Sequence, residues 1–267
     1  MIAAGGLLIR ANCRRGRVDI RVRLERPDVA RLFVGMTGAQ VIAAVPLVYT
    51  LCGKAQQAVA AAALAAAAGC LPPEVDDRAL WRERLHACLW RLCLDWPAAL
   101  AYPLAKQEAA RSAFARWHRQ TEASPAAFAE ATQSMMRELA LDISVEPSPV
   151  HALFARAREV WRALQSNTPY PLRARGGYGI GAGRTQTARG ALTHVLRLRA
   201  GRIDAYRVHT PTDRNFANAA PLAAQFAALR AANAESADDV GLRRMLECAT
   251  LALDPCVPYR VEWRGRA

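Results

Sequence analysis

The chain has 267 residues, with 36 Lys and Arg against 23 Asp and Glu, a formal net charge of +13. An apolar share of 52% with only 22% charged residues supports a sizeable core and excludes a wholly disordered chain. Seven cysteines, an odd number thinly spread over a chain this long, argue against a disulfide framework.

The start, MIAAGGLLIR, lacks basic residues ahead of its short apolar run and makes a poor secretory signal. Residues 17–24, R-V-D-I-R-V-R-L, alternate charged and apolar side chains with period two and predict a half-buried strand that Pro27 ends. From Thr37 to about Ala68 the pattern is helical, broken by Pro46 and Gly53. The apolar stretch from Val41 to Ala68 is interrupted by Lys54, Gln56 and Gln57, so no bilayer span is expected. A soluble protein of a reducing cytoplasm is the expectation. Pro72 and Pro73 open a helix with Trp81, Leu85, Cys88 or Leu89, Leu92 and Trp96 on one face, punctuated by Pro97 and Pro103. Helices follow around 105–120, from Ser124 as N-cap with Pro125 at the first helical position to about Leu139, and around 151–164 after a linker at 146–150.

After Asn167 the character changes. Residues 168–184 are rich in Pro and Gly, with the run G-G-Y-G-I-G-A-G at 176–183. Two β-like runs, 191–198 and 202–208, are joined by Arg199-Ala200-Gly201, a hairpin signal. A loop, T-P-T-D-R-N at 210–215, leads to helices around 221–233 and 238–253, and the chain closes with D-P-C-V-P-Y (254–259) and a strand at 259–264. The prediction is a single α+β domain over 1–267, mostly helical with a small antiparallel sheet. Its helical middle spans about 37–165, and its hairpin and C-terminal cysteine region about 168–267.

Of the 36 basic residues, 34 are arginines; only Lys54 and Lys106 are lysines. Arginine and alanine are both over-used, as GC-rich codons would produce, no arginine run exceeds two, and no aromatic residues interleave as a base-stacking platform requires. The glycine run resembles part of a nucleotide fingerprint, but no buried strand precedes it and no P-loop lysine follows, so a flexible or tightly turned loop is expected. Cys70, Cys88, Cys93 and Cys248 fall at helix ends or on apolar faces, where free cysteine acts as a small hydrophobe. Cys13 falls in a basic loop. His194 and His209 belong to the hairpin and are expected to be structural. His86 and Cys88, two apart on a helix, face different ways. Cys52, in L-C-G-K, and Cys256, in D-P-C-V-P, each adjoin a helix breaker, where backbone N–H groups facing the thiol would lower its pKa and suit metal ligation. Neither belongs to a CxxC pair, which excludes a zinc ribbon.

The order of these features carries more than any one of them: a strand, a Cys-Gly turn at 52, a helical middle, R-G-A-L-T-H at 189–194 opening a hairpin, P-T-D-R-N at 211–215, and D-P-C at 254–256. This succession resembles a shortened nickel–iron hydrogenase large subunit, and in particular the large-subunit-related hydrogenase expression/formation proteins of the HupK/HoxV type. The enzymes of that family hold nickel and an Fe(CN)₂CO group on two CxxC pairs. Here the pairs read Cys52-Gly53-Lys54-Ala55 and Cys256-Val257-Pro258-Tyr259, each keeping only its first cysteine. The acidic residue of the family's N-terminal R-x-E-G-H motif has no counterpart before Glu25, and near Glu262 the cleavage-site histidine is replaced. Five residues follow Glu262, so no extension for a maturation protease is expected.

The resemblance implies a shortened large-subunit-like fold and no hydrogenase activity. It implies a non-catalytic maturation scaffold that transiently holds the Fe(CN)₂CO fragment, or its iron precursor, on Cys52 and Cys256 for transfer to the large subunit, without nickel. Arg189 matches the arginine of the family's A-P-R-G segment, with Ala188 in place of the proline; Asp254 matches the aspartate of D-P-C; and Thr210, Pro211 and Thr212 match the segment beside the cyanide ligands. The implied partners are a small carrier chaperone, the complex that makes the cyanide ligands, and the large subunit, with no membrane. Two other readings fit parts of the sequence: a degenerate hydrogenase-like metal or hydrogen sensor, and an Arg-rich nucleic-acid-binding protein, whose affinity would fall steeply with salt.

Overall fold

The alternation at 17–24 builds strand β2 (Arg17–Glu25), which pairs antiparallel with β1 (Gly6–Arg14). In β1, Leu7, Ile9, Ala11 and Cys13 point into the core while the residues between them face outward, so Cys13 is a buried strand residue opposite Val18 and not part of a loop. β1 also pairs in parallel with β7 (Tyr259–Arg264), where Ile9 meets Val261, giving the order β2-β1-β7. The chain is described here from a computed structural model over residues 5–14, 17–120, 124–142, 148–232 and 238–265.

Helix α1 (Gly38–Val48) starts at a reciprocal cap between Thr37 and Gln40 and contains Pro46. A proline cannot bond the carbonyl four residues back. That carbonyl, of Ile42, accepts instead from the Gln57 side chain at 3.1 Å. A 3₁₀ turn (Thr50–Cys52) then leads through a 99° bend into α2 (Gly53–Ala67), which is buried along nearly its whole length, as an apolar helix must be. Among the described residues no single helix is long and apolar enough to cross a membrane.

α3 (Asp77–Trp90) is capped by Asp76 and continues through one π turn (Arg91–Asp95) into the short α4 (Trp96–Ala99). The expected face is buried throughout: Trp81, Leu85, Cys88, Leu89, Leu92 and Trp96. α5 (Leu104–Gln120) pairs with α6 (Pro125–Asp142), whose Ser124 cap forms as expected, and α7 (Ser148–Gln165) lies against α3. The linker expected at 146–150 falls partly outside the described residues, and its remainder belongs to α7. α9 (Ala220–Ala232) and α10 (Asp239–Leu253) pack together; Asn233, expected to end the first of these, lies outside the described residues.

The glycine run is not a loop. It forms the end of β3 (Arg173–Gly177), a turn at Tyr178-Gly179, and the start of β4 (Ile180–Thr187). β5 (Gly190–Arg199) and β6 (Arg202–His209) complete an antiparallel sheet in the order β3-β4-β5-β6, their turn at Ala200-Gly201 having positive φ at both residues. The glycines are required by what lies above them. A Cβ on Gly181 would sit 2.0 Å from the Ala63 carbonyl oxygen, and one on Gly183 would sit 2.3 Å from that of Val59. The alanine-rich α2 therefore lies directly on the β4 backbone, a close approach that only small residues on both sides permit. The α+β, mostly helical expectation holds. Antiparallel pairing is complete in the four-stranded sheet, while the three-stranded one adds the parallel β1–β7 pair.

Gly183→Ala is expected to destabilise the chain by about 1–3 kcal/mol, because the clash is with helix backbone and not a flexible side chain. Gly6→Ala, whose Cβ meets nothing within 4 Å, should change stability by less than about 0.5 kcal/mol. Urea-unfolding midpoints of the two variants give the comparison.

Candidate functional site

α10 ends at Asp254, which takes the left-handed conformation (φ 51°) that Asp tolerates better than most residues. The residue is only 4% exposed. Arg91 donates to it from the π turn at 2.5 Å, and Arg189 lies at 3.4 Å. Arg91 also donates to Asp95 and to the Pro255 carbonyl, clamping the 254–256 segment onto the helix. Arg189 occupies the two-residue turn between β4 and β5, is buried, and its Nε has no hydrogen-bond partner.

Cys256 is half-buried and tied to α8 (Pro211–Asn215), a short helix where a loop was expected. The Thr212 hydroxyl, fully buried, donates to Cys256 Sγ at 3.0 Å and accepts from the Cys256 N–H at 3.1 Å. Thr210 caps this helix by exchanging bonds with Asp213, and Arg26 donates to both. Thr212 thus touches a thiol directly. Thr210 and Pro211 act one step away, as the N-cap and the first residue of the helix that carries Thr212.

Cys52 sits at the N-cap position of α2, as its neighbouring glycine suggested. The expected low pKa does not follow. The N–H groups of Lys54 and Ala55 are taken by the Glu83 carboxylate at 2.7 and 3.0 Å, so they do not serve the sulfur. Burial pushes the Cys52 thiol up to about 11, against the pull of the Gln56 amide and the Arg189 charge. Glu83 itself is pushed up by burial, opposed by those same two N–H bonds. A polar chain runs inward from Cys52: Gln56 Nε2 donates to Sγ at 3.5 Å, Gln56 Oε1 lies 2.6 Å from His194 Nε2, and His194 Nδ1 lies 2.8 Å from the Tyr206 hydroxyl. His194 is fully buried and structural, as expected.

Cys52 and Cys256 meet around Arg189. Arg189 lines the narrow cavity beside Cys52, and it also lines the groove of about 1,080 Å³ that Cys256 borders. A charge on Cys256 is close enough to raise the pKa of Cys52. Among the described residues no cluster of three or more His, Cys, Asp or Glu is placed to hold a metal ion, so the site offers two thiols and an arginine donor, not a closed cage. Of the cysteines expected to be buried, Cys88, Cys93 and Cys248 are so, with thiol pKa values raised by burial, whereas Cys70 is exposed.

No family model matches the chain. It is 27% identical to the hydrogenase expression/formation protein HupV of Azotobacter chroococcum mcd 1, with 97% of this chain and 98% of that protein covered. It is 26% identical to the hydrogenase expression/formation protein HupK of Azotobacter vinelandii, with 92% and 94% covered. The chain is a homologue of hydrogenase expression/formation proteins. The first alignment spans 343 positions against 267 residues, so that relative has segments this chain lacks.

Sequence reasoning missed Glu83, Arg91 and Gln56. Gln56 carried a signal, since it lies four residues after Cys52 and hence on the same helical face. Nothing local marks Glu83 or Arg91, whose roles arise from α3 crossing the start of α2 and the end of α10.

The polar chain behind Cys52 has a measurable signature. Burial, and secondarily the charge of His209, push His194 down to about 3, against an ordinary value near 6.5. Below pH 6.5 the unfolded chain binds a proton that the native chain refuses, so stability falls with pH through the window from 6.5 toward 3. Between pH 7 and pH 5 this group should contribute a loss of about 2 kcal/mol, absent in His194→Gln, as read from urea midpoints at the two pH values.

Proposed function

We propose that this chain acts in hydrogenase maturation as a non-catalytic scaffold, holding an Fe(CN)₂CO fragment or its iron precursor between Cys52 and Cys256 before transfer to the hydrogenase large subunit. The observation that carries this reading is the convergence of two thiols, 204 positions apart in sequence, on one buried arginine that is ion-paired with Asp254 but whose Nε makes no hydrogen bond. The names of the homologous proteins support the general role.

The donor set suits this cargo. Soft thiolates favour low-spin iron, and a cyanide nitrogen is an acceptor suited to a buried guanidinium that faces Asp254 at 3.4 Å but makes no hydrogen bond through its Nε. Two protein ligands leave the metal's other positions to ligands it brings with it, consistent with a cargo in transit. Nickel, which in the resembling enzymes shares four thiolates with iron, has no such set here. The neutral Cys52 thiol must lose its proton on binding, so iron retention should rise with pH. Thr212 then bonds the Cys256 sulfur, and Gln56 the Cys52 sulfur, keeping each oriented. The partners in this reading are a carrier that delivers the fragment, the complex that makes its cyanide ligands, and the large subunit that receives it, all in the cytoplasm.

Infrared spectroscopy on protein purified anaerobically from its native host tests this. Stretching bands of metal-bound cyanide and carbonyl are expected in the natural chain, absent from Cys52→Ser and from Cys256→Ser, and retained in Cys88→Ser, whose thiol is a buried core residue. Iron without those bands would shift the cargo to the bare precursor. Absence of both iron and bands would overturn the reading.

A further inference from the structure

The groove beside Cys256 extends well past the thiol site. Its floor is one face of α3, with Arg78, Arg82, His86 and Trp90 at successive four-residue spacings, a line roughly 18 Å long at 1.5 Å per residue. The far wall comes from α5 and α6 through Trp117 and Phe128, and the near wall from Leu51, Lys54 and the 255–259 segment. At about 1,080 Å³, and open along its length, it exceeds the roughly 300–1,000 Å³ usual for small-molecule pockets.

Its charges are unbalanced. Five lysine and arginine side chains line it against three carboxylates, and of these Asp95 is paired with Arg91 while Asp76 and Glu83 cap helix N–H groups and keep their charge. Lys54, Arg78 and Arg82 have no carboxylate at ion-pair distance among the described residues. Arg82 lies 4.0 Å over the Phe128 ring, and its Nε is buried without a hydrogen-bond partner. Alongside these cations stand two large apolar side chains left open, Trp90 at 46% and Leu51 at 55% exposure. Arginine and tryptophan at the centre of a concave surface are the residue types that anchor protein partners, and unpaired cations select acidic ones.

We infer that this groove docks an extended acidic segment of a partner protein, with apolar residues among its carboxylates, laid along α3 so that the partner's neighbouring atoms reach Cys256. This deepens the scaffold reading, on which only the significance of the Cys256 end rests. Asp76, Glu83 and Asp95 interrupt the cations along the groove, which favours a peptide that can set apolar residues there over a nucleic-acid strand with a phosphate at every nucleotide.

The test uses the full chain and a fluorescein-labelled peptide of about eight residues alternating Asp and Leu, compared by anisotropy with its Lys-for-Asp counterpart. The acidic peptide should bind about tenfold more tightly than the basic one. The double variant Arg78→Glu, Arg82→Glu, shown folded by circular dichroism, should weaken it by a further factor of about ten, and Trp90→Ala by several-fold. Cys52→Ser should leave peptide affinity unchanged, so failure of the thiol site and failure of the groove are read separately. Equal binding of both peptides, or unchanged binding to the double variant, would overturn the inference. So would complete displacement of the peptide by hexacyanoferrate at matched ionic strength, or by a single-stranded oligonucleotide, which would assign the groove to small anions or to nucleic acid.

Discussion

One buried carboxylate organises the site. Asp254 ends α10 in a left-handed turn and lies between Arg91 of the π turn and Arg189 of the β4–β5 turn. Removing charges from water is costly, and a buried ion is tolerated only when it is paired and hydrogen-bonded. The pair Arg91–Asp254 meets that condition with short contacts, and Arg91 adds bonds to Asp95 and to the Pro255 carbonyl. Three segments distant in sequence are thereby held together: the middle of the long helix, the hairpin turn, and the loop that carries Cys256. The parallel pairing of β7 with β1, with Leu7 N–H on the Pro258 carbonyl, fixes the other end of that loop. Cys256 therefore stands on a segment anchored on both sides.

Cys52 is placed by a different device. Its position depends on the bend between α1 and α2, on Glu83 capping α2, and on α2 lying against the β4 backbone. A helix start normally offers free N–H groups to an anion. Here a carboxylate from α3 already occupies two of them, so they do not offset the burial that raises the thiol's pKa and leaves it protonated under ordinary conditions. The two thiols, both half-buried, are thus unequal in setting: Cys256 borders the wide groove and is hydrogen-bonded by Thr212, whereas Cys52 borders a narrow cavity, its orientation set by Gln56 and, behind it, His194 and Tyr206.

Much of this was legible in the sequence wherever a pattern is local. The strand at 17–24, the Trp81–Trp96 face, the hairpin at 191–208 and the cap at Ser124 all announce themselves through periodicity or capping chemistry. β1 was harder to see, because Leu8 makes its outward face partly apolar and blurs the alternation with Leu7, Ile9, Ala11 and Cys13. The glycine run reads as a loop for a physical reason: strand glycines have no side chains to report their period, and the cause of their presence is a helix more than 100 residues away in sequence. The same holds for the site. Cys52, Cys256, Arg189 and Asp254 could be picked out by motif order, but Glu83 and Arg91 gain their roles only from the crossing of elements.

The inequality of the thiols bears on how such a site would work as a scaffold. A structural metal site surrounds its ion with four ligands and gains folding energy from it. In the scaffold reading, two thiols, one opening on a wide groove and one whose deprotonation is opposed by burial, would favour stepwise capture: Cys256 would engage an arriving fragment first, and Cys52 would close on it with release of its proton, as any thiol does on ligation. The reverse sequence frees the fragment, since returning that proton to a thiol whose surroundings favour the neutral form weakens the second bond. In the scaffold reading, the burial that keeps Cys52 neutral, unrelieved because Glu83 takes the helix N–H groups, is then part of what makes the hold reversible, and the groove beside Cys256 is where the exchange with a partner takes place.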